Sequence, residues 1–184
     1  RGLGGTDQFA AAAQFVVNGA IDHKPGDTNQ GSFHGTRPTY YFSDDQALST
    51  LGLRLVAGRN FTAADVGHQG FRDNSEPSVV ILTKALADKL FPKGDALGKV
   101  IYLNGSTKPT TVVGMVERMQ VPGTGTWTNS YMWTATLVPT RLDANFSRYE
   151  IRAKHGQLDA VMRAVTPGSP ATTCSRRREC ICSV

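Results

Sequence analysis

Residues 78–119, SVVILTKALADKLFPKGDALGKVIYLNGSTKPTTVVGMVERM, constrain this chain more than any other stretch. They read as strand, helix, tight connection, strand, turn and strand. Ser78, Val79, Val80, Ile81 and Leu82 form a short, apolar, largely β-branched run, the composition of a strand buried on both faces. Thr83 is placed to cap a helix over residues 84–90, with Ala85, Leu86 and Leu90 on its buried side and Lys84, Asp88 and Lys89 pointing away. Pro92 and Gly94 stop that helix. Residues 99–104 then pair with 110–116 around the Asn104-Gly105 turn signal. None of these side chains is placed for chemistry, so the stretch is scaffold.

The remainder supplies further strands and helices. Residues 12–18 read as a strand, 22–35 as a polar, glycine-rich loop, and 37–42 as a strand carrying Tyr40, Tyr41 and Phe42. Ser43 is expected to cap a helix over 44–51, with Asp44 and Asp45 in its first turn and Gly52 at its end. Leu53, Leu55 and Ala57 alternate with Arg54 and Val56 across a strand. Residues 62–65 make a single helical turn at most, and 68–77 read as a surface loop. Beyond 119, residues 120–130 read as a loop, 131–138 and 148–153 as strands, and 158–165 as an amphipathic helix with Leu158, Val161, Met162 and Val165 on one face. A strand followed by a covering helix thus occurs at 37–51, 78–91 and 148–165. That repetition predicts an α+β domain, with the 99–138 meander as a small second β unit.

Charge and motif spacing narrow the function classes. The formal net charge is +5, but residues 166–184 hold three arginines and one glutamate, which leaves the body at only +3. So small a charge does not argue for nucleic acid. No run reaches the ~18 apolar residues that cross a bilayer. Residues 9–21 are interrupted by Gln14, Asn18 and Gly19 and lack the charged leader and cleavage site of a signal peptide. The chain begins at Arg1 rather than Met, as an excised domain would. Its three cysteines, Cys174, Cys180 and Cys182, fall in the tail without zinc-site spacing, and the tail reads as disordered or non-native.

Residues 94–100, GDALGKV, look like a phosphate loop but fail as one. Three residues separate the glycines instead of four, Val100 stands where Ser or Thr would hold magnesium, and the helix comes before the loop rather than after it. His23, His34, His68 and His155 fall in loops with no i,i+4 pair, and Gly123-Thr124-Gly125 lacks the third glycine of a dinucleotide fingerprint. Asp44 and Asp45 are accounted for by the helix dipole, and no G-x-S-x-G occurs. No catalytic residue, metal site or cofactor is expected. Trp127, Tyr131, Met132 and Trp133 form the richest aromatic cluster. Core packing is the first reading for it, and a partner surface of Trp127, Tyr131 and Trp133 the second.

Several of these pieces, taken in order, resemble a known family. They are Tyr41-Phe42, then LSTLGLRLVAGRNFT over 48–62 with Asp65, VVILTKALA over 79–87, LFP over 90–92, DALGK over 95–99 and TVVGMV over 111–116. This order is similar to the periplasmic core domain of MacB/FtsX-type ABC transporter permeases, with Ala96 standing where the family pattern has proline. The resemblance implies a porter-like α+β subdomain, here 1–98 with 139–165, whose sheet is covered by helices. It implies a small β-rich subdomain at 99–138, and leaves 166–184 as a tail foreign to the family. The implied function is a non-catalytic extracytoplasmic domain, on the periplasmic side of the bacterial inner membrane, that relays conformational change in efflux or mechanotransmission. Implied partners are the membrane-embedded remainder of the permease and its ATPase, a periplasmic adaptor, and a second copy in a dimeric transporter, with no nucleic acid. The alternative from the residues themselves is a free-standing periplasmic ligand-binding or adaptor module built on the aromatic loop. Flanking spans of ~20 apolar residues in the full reading frame would favour the permease.

Overall fold

The structure is a computed structural model and describes residues 8–10, 14–16, 21–23, 36, 38–70, 76–119, 132–143, 148–157, 159–160, 171–175 and 179–183. In chain order its elements are β1 (Gln8–Ala10), β2 (Gln14–Val16), β3 (Ile21–Asp22), β4 (Thr39–Ser43), α1 (Ala47–Leu51), β5 (Leu55–Gly58), β6 (Gly67–Gly70), β7 (Val79–Thr83), α2 (Lys84–Leu90), β8 (Val100–Leu103), β9 (Thr110–Val116), β10 (Ala135–Asp143), β11 (Arg148–Arg152), β12 (Ala171–Ser175) and β13 (Glu179–Ser183). A mixed sheet runs β2-β4-β10-β7-β9-β8-β3, with β5 also paired to β9 and β6 to β10. A smaller antiparallel sheet runs β1-β11-β13-β12. The fold class is α+β, as expected.

β7 lies at the centre of the large sheet because its residues are apolar on both faces. Tyr40, Phe42, Val80, Leu82, Val112 and Val138 share one face with Leu86, Ala87 and Leu90 of α2. Tyr41, Ile81, Val116, Ala135 and Leu137 share the other with Leu48 of α1. Alternate residues of one strand feed two cores, as the pleat requires. α1 in turn lies against β1 and β11, so it sits between the two sheets. In β9 the alternation changes face midway. The β7–β9 register slips after Val80↔Val112 and resumes at Ile81↔Gly114, so a bulge at Val113 sends Val112 to the α2 side and Val116 to the α1 side.

β8, β9 and the first four residues of β10 belong to the stretch, 99–138, expected to form a small β-rich unit, and all three are strands of this same sheet. β9 runs parallel beside β7, and β10 lies between β4 and β7. A parallel neighbour can reach β7 only through a crossover, and the segment after α2 supplies it. Two strands, β12 and β13, fall in the segment expected to be a disordered tail, where they pair with each other and with β11. The helix expected over 158–165 lies outside the described residues, apart from 159 and 160.

Several boundaries differ from the sequence reading, each because a ladder claims a residue that local rules assign to a cap. Ser43 is the last residue of β4, paired with Pro139 of β10, and does not cap α1. Instead the Asp44 carboxylate accepts the Gln46 N–H at 3.0 Å, and α1 starts at Ala47. Thr83 does precede α2, but its side chain makes no cap bond. Its hydroxyl donates to the Trp133 carbonyl at 2.8 Å and accepts the Ala135 N–H at 3.1 Å. Those two bonds hold the entry to β10, so Met132 and Trp133 form a turn rather than the start of a strand. In α2 it is Ala87, and not Ala85, that joins Leu86 and Leu90 in the core, because Ala87 lies one turn before Leu90. The expected loop at 68–77 opens with β6, which pairs in parallel with the far half of β10. The alternation of Leu55 and Ala57 with Val56 matches the reading.

The β8–β9 hairpin turns at Asn104 (φ 50°) and Gly105 (φ 73°), closed by the Ser106 N–H on the Leu103 carbonyl at 2.8 Å. Both central residues are left-handed, the geometry that the Asn-Gly pair favours. Beneath the turn, the buried Tyr40 hydroxyl oxygen accepts the Asn104 N–H, and burial pushes its phenol far above the ordinary value.

Candidate functional site

The GRNFTAAD run, residues 58–65, folds into a rigid corner against β9. Gly58 pairs with Gly114 across the β5–β9 ladder, and the Arg59 N–H donates to the Val113 carbonyl at 2.9 Å. Phe61 is buried among Tyr41, Leu48 and Ile81. Arg59 grips Asp65 with both guanidinium nitrogens, at 2.7 and 3.2 Å. The same carboxylate accepts the Thr62 N–H and the Thr62 hydroxyl, both at 2.8 Å, forming a capping box on a single 3-10 turn at Ala63–Asp65. These bonds, the Arg59 one foremost, hold the Asp65 carboxyl well below the usual carboxylate range. Both carboxylate oxygens of Asp65 are engaged structurally, so its charge is committed to the corner.

A group whose folded value is depressed stabilises the fold above its unfolded value, about pH 4, and that stabilisation disappears as the pH falls through the acid range. Asp65→Asn is therefore expected to lower stability by about 1–2 kcal/mol at neutral pH, the half-exposed Arg59 limiting the loss. In urea titrations at neutral and acid pH, the difference between variant and parent should shrink below about pH 4.

A polar cleft of about 440 Å³ opens beside this corner, between β6, the start of β7 and the middle of β10. Asp65, His68, Gln69, Glu76, Ser78 and Thr140 line it. Glu76 accepts from Lys108 at 2.6 Å and from the Ser106 hydroxyl at 3.0 Å, with Lys108 the main cause of its lowered carboxyl. Both carboxylates in the cleft are thus already neutralised by a cation.

At the opposite end of β10, roughly 20 Å away along the strand, Trp133 is 37% exposed. The Arg118 guanidinium lies 5.4 Å from its ring centroid, a cation–π stack. The Thr83 hydroxyl anchors the Trp133 backbone from below. Of the aromatic residues singled out from sequence, this is the one the structure places; Trp127 and Tyr131 lie outside the described residues. Arg118 carried no signal in the sequence, because fifteen residues separate it from Trp133 and only the neighbouring of β9 and β10 with β7 brings them together.

The other candidates have structural employment. His23 packs edge-on against Phe91, with ring centroids 5.1 Å apart. His68 lines the cleft, His155 is exposed, and His34 lies outside the described residues. Among the described residues no group of three His, Cys, Asp or Glu side chains is arranged to hold a metal ion. Asp44 is buried, with Arg141 at 3.5 Å. In the GDALGK turn, the Gly98 N–H goes to the Val112 carbonyl and the Lys99 N–H to the Ala96 carbonyl, so these amides are not presented to a phosphate. Ala96 itself is buried under α2. No helix of the described residues is long and apolar enough to cross a membrane.

A family model described as the MacB-like periplasmic core domain matches residues 4–168. The chain belongs to this family. It is a periplasmic domain of a MacB-like ABC transporter permease, on the periplasmic side of the membrane. The ABC transporter permease YvrN of Bacillus subtilis is 37% identical over 88 residues, which are 46% of this chain and 19% of that protein. The macrolide export ATP-binding/permease protein MacB of Chromobacterium violaceum is 32% identical over 108 residues, 58% of this chain and 15% of its own length. The chain therefore spans less than a fifth of these curated relatives. Among solved structures, the periplasmic region of MacB from Actinobacillus actinomycetemcomitans aligns with a TM-score of 0.47 at 18% identity, over 71% of this chain and 47% of that one. The extracellular domain of the noncanonic ABC-type transporter YknZ from Gram-positive bacteria aligns at 0.48 and 22%, over 75% and 57%. In this MacB-like domain, the two motifs GRNF and VVG are partners in space, because the Gly58–Gly114 approach joins them.

Proposed function

We propose that this domain is a non-catalytic relay that passes movement of the permease's membrane part, driven by its ATPase, to cargo or partner proteins in efflux or mechanotransmission. It uses no cofactor and no nucleic acid. The observation that carries the reading is the doubly covered sheet, clamped at its β5–β9 corner by a backbone-to-backbone approach and the Arg59–Asp65 grip. A body so packed transmits displacement rather than absorbing it. Its partners are the membrane remainder, a periplasmic adaptor and a second copy in the assembled transporter. The contact surface is the aromatic stretch of Trp127, Tyr131 and Trp133, joined by Arg118, which stacks on Trp133.

Distance measurements in the full-length transporter test this directly. Spin labels are placed at Lys84→Cys and Lys108→Cys, at opposite ends of the sheet, with Cys174, Cys180 and Cys182 replaced by serine. The distance within one domain should hold between the nucleotide-free and ATP-bound states. The distance between labels on different copies should change by roughly a helical turn, 5 Å or more. A change within the domain, or none between copies, overturns the relay. In the same transporter, Trp133→Ala should cut transport coupled to ATP hydrolysis about tenfold, the loss of one aromatic anchor. Domain stability should move by no more than about 1 kcal/mol, since the indole is over one-third exposed.

A further inference from the structure

The Asn104-Gly105 pair does more than turn the hairpin. Asn104 is exposed at the tip, and Gly105, following it, has no Cβ to shield its backbone nitrogen. The turn is closed by the Ser106 N–H and the Leu103 carbonyl, so the Gly105 N–H takes no part in the closing bond. We propose that this turn is a site of spontaneous deamidation, a covalent modification that converts Asn104 to aspartate or isoaspartate.

The Gly105 nitrogen attacks Cγ of Asn104, forming a C–N bond. The bond from Cγ to Nδ2 breaks, and the amide leaves as ammonia carrying the proton that the Gly105 nitrogen gives up. Water then opens the five-membered succinimide at one of its two carbonyls. Opening at the backbone carbonyl gives isoaspartate, and opening at the Cγ carbonyl gives aspartate. One water is consumed, one ammonia is released, and nothing is oxidised or reduced.

The two products differ in what they do to the fold. Aspartate keeps the backbone and tolerates the left-handed conformation that Asn104 occupies. Isoaspartate routes the backbone through Cβ and Cγ and adds a carbon to the turn that leads out of β8, at the head of the connection to β9. On one edge β8 pairs with β9, Val100 opposite Thr111 and Ile101 opposite Thr110, and on the other its last residues pair with β3, Leu103 opposite Ile21 and Tyr102 opposite Asp22. The turn itself sets the Asn104 N–H on the Tyr40 hydroxyl. Conversion to isoaspartate therefore loosens β8 and the β3 edge while α1, α2 and the β4–β10–β7 centre keep their packing.

The test ages the purified domain in mildly alkaline buffer at body temperature beside a synthetic peptide of residues 100–111. Digestion and mass spectrometry should find the one-dalton gain of NH2 replaced by OH at position 104, with isoaspartate identified by enzymatic methylation. The folded domain should convert more slowly than the peptide, because the turn restrains Asn104, and Asn104→Gln should stop the gain at that position. Hydrogen exchange on the isoaspartate fraction should be faster at Leu103 and Thr110, while Asn104→Asp stays like the parent. No gain at position 104 in the folded domain over a period that fully converts the peptide overturns the proposal. A gain without faster exchange at the hairpin overturns the loosening it predicts.

Discussion

Gly58→Ala is expected to destabilise the domain by about 2–5 kcal/mol, a large share of the roughly 5–15 kcal/mol that holds a typical domain folded. Two effects add. The residue sits at φ 77°, where any L residue with a Cβ is strained by roughly 1–2 kcal/mol. A Cβ built there meets the Val113 carbonyl oxygen at 2.2 Å, Gly114 Cα at 2.8 Å and Leu97 Cδ2 at 2.8 Å. Leu97 can yield, but the other two are backbone, held by the β5–β9 ladder and the Arg59-to-Val113 hydrogen bond, so relief requires the strands to part, an overpacking cost of about 1–3 kcal/mol. Urea denaturation followed by tryptophan fluorescence should show a midpoint lowered by about 1 M urea or more. A midpoint within about 1 kcal/mol of the parent would mean that β5 is free to shift and the corner is not rigid. Gly114→Ala should fail for the same reason from the other side, since its Cβ meets the Arg59 carbonyl at 2.5 Å.

Leu82→Ala is expected to cost about 2–5 kcal/mol. Leu82 is fully buried on the α2 face of the central strand, among Tyr40, Val80, Leu86 and Val138. Both neighbouring strands are fixed by ladders, so the space left by the isobutyl group has little room to collapse, which favours the upper half of that range. Val56→Ala provides the contrast. Val56 is 39% exposed on β5, and its truncation should move stability by roughly 0.5 kcal/mol or less. Equal losses at the two positions would contradict the two-core arrangement.

The sequence made some elements legible because a single periodicity governed them. Residues 79–82 had to be strand because nothing polar interrupts them, and 84–90 had to be a helix because Pro92 and Gly94 bound it. The Asn104-Gly105 turn was legible because few pairs accept two left-handed residues. β6, with the sequence GHQG, was not legible: it has no strand propensity and exists because β10 extends past Pro139 and offers it a ladder. Ser43 is not the cap of α1, and Thr83 holds the N-cap position of α2 without making a cap bond, because cap rules see only the helix that follows. Neighbouring strands decided where their backbone and hydroxyl groups went. The Trp133–Arg118 stack was half legible, its aromatic visible and its cation not.

By itself the sequence determined the family, the α+β class, and the central strand and helix, since local pattern and motif order are properties read one residue after another. Only the tertiary structure decided that β8, β9 and β10 join the main sheet, that Val113 bulges so β9 feeds both cores, and that Gly58 must meet Gly114. Those facts depend on which distant backbone groups come within hydrogen-bonding distance. Strand pairing is a choice among partners of similar local propensity, and it is settled by burying both faces of β7 at once.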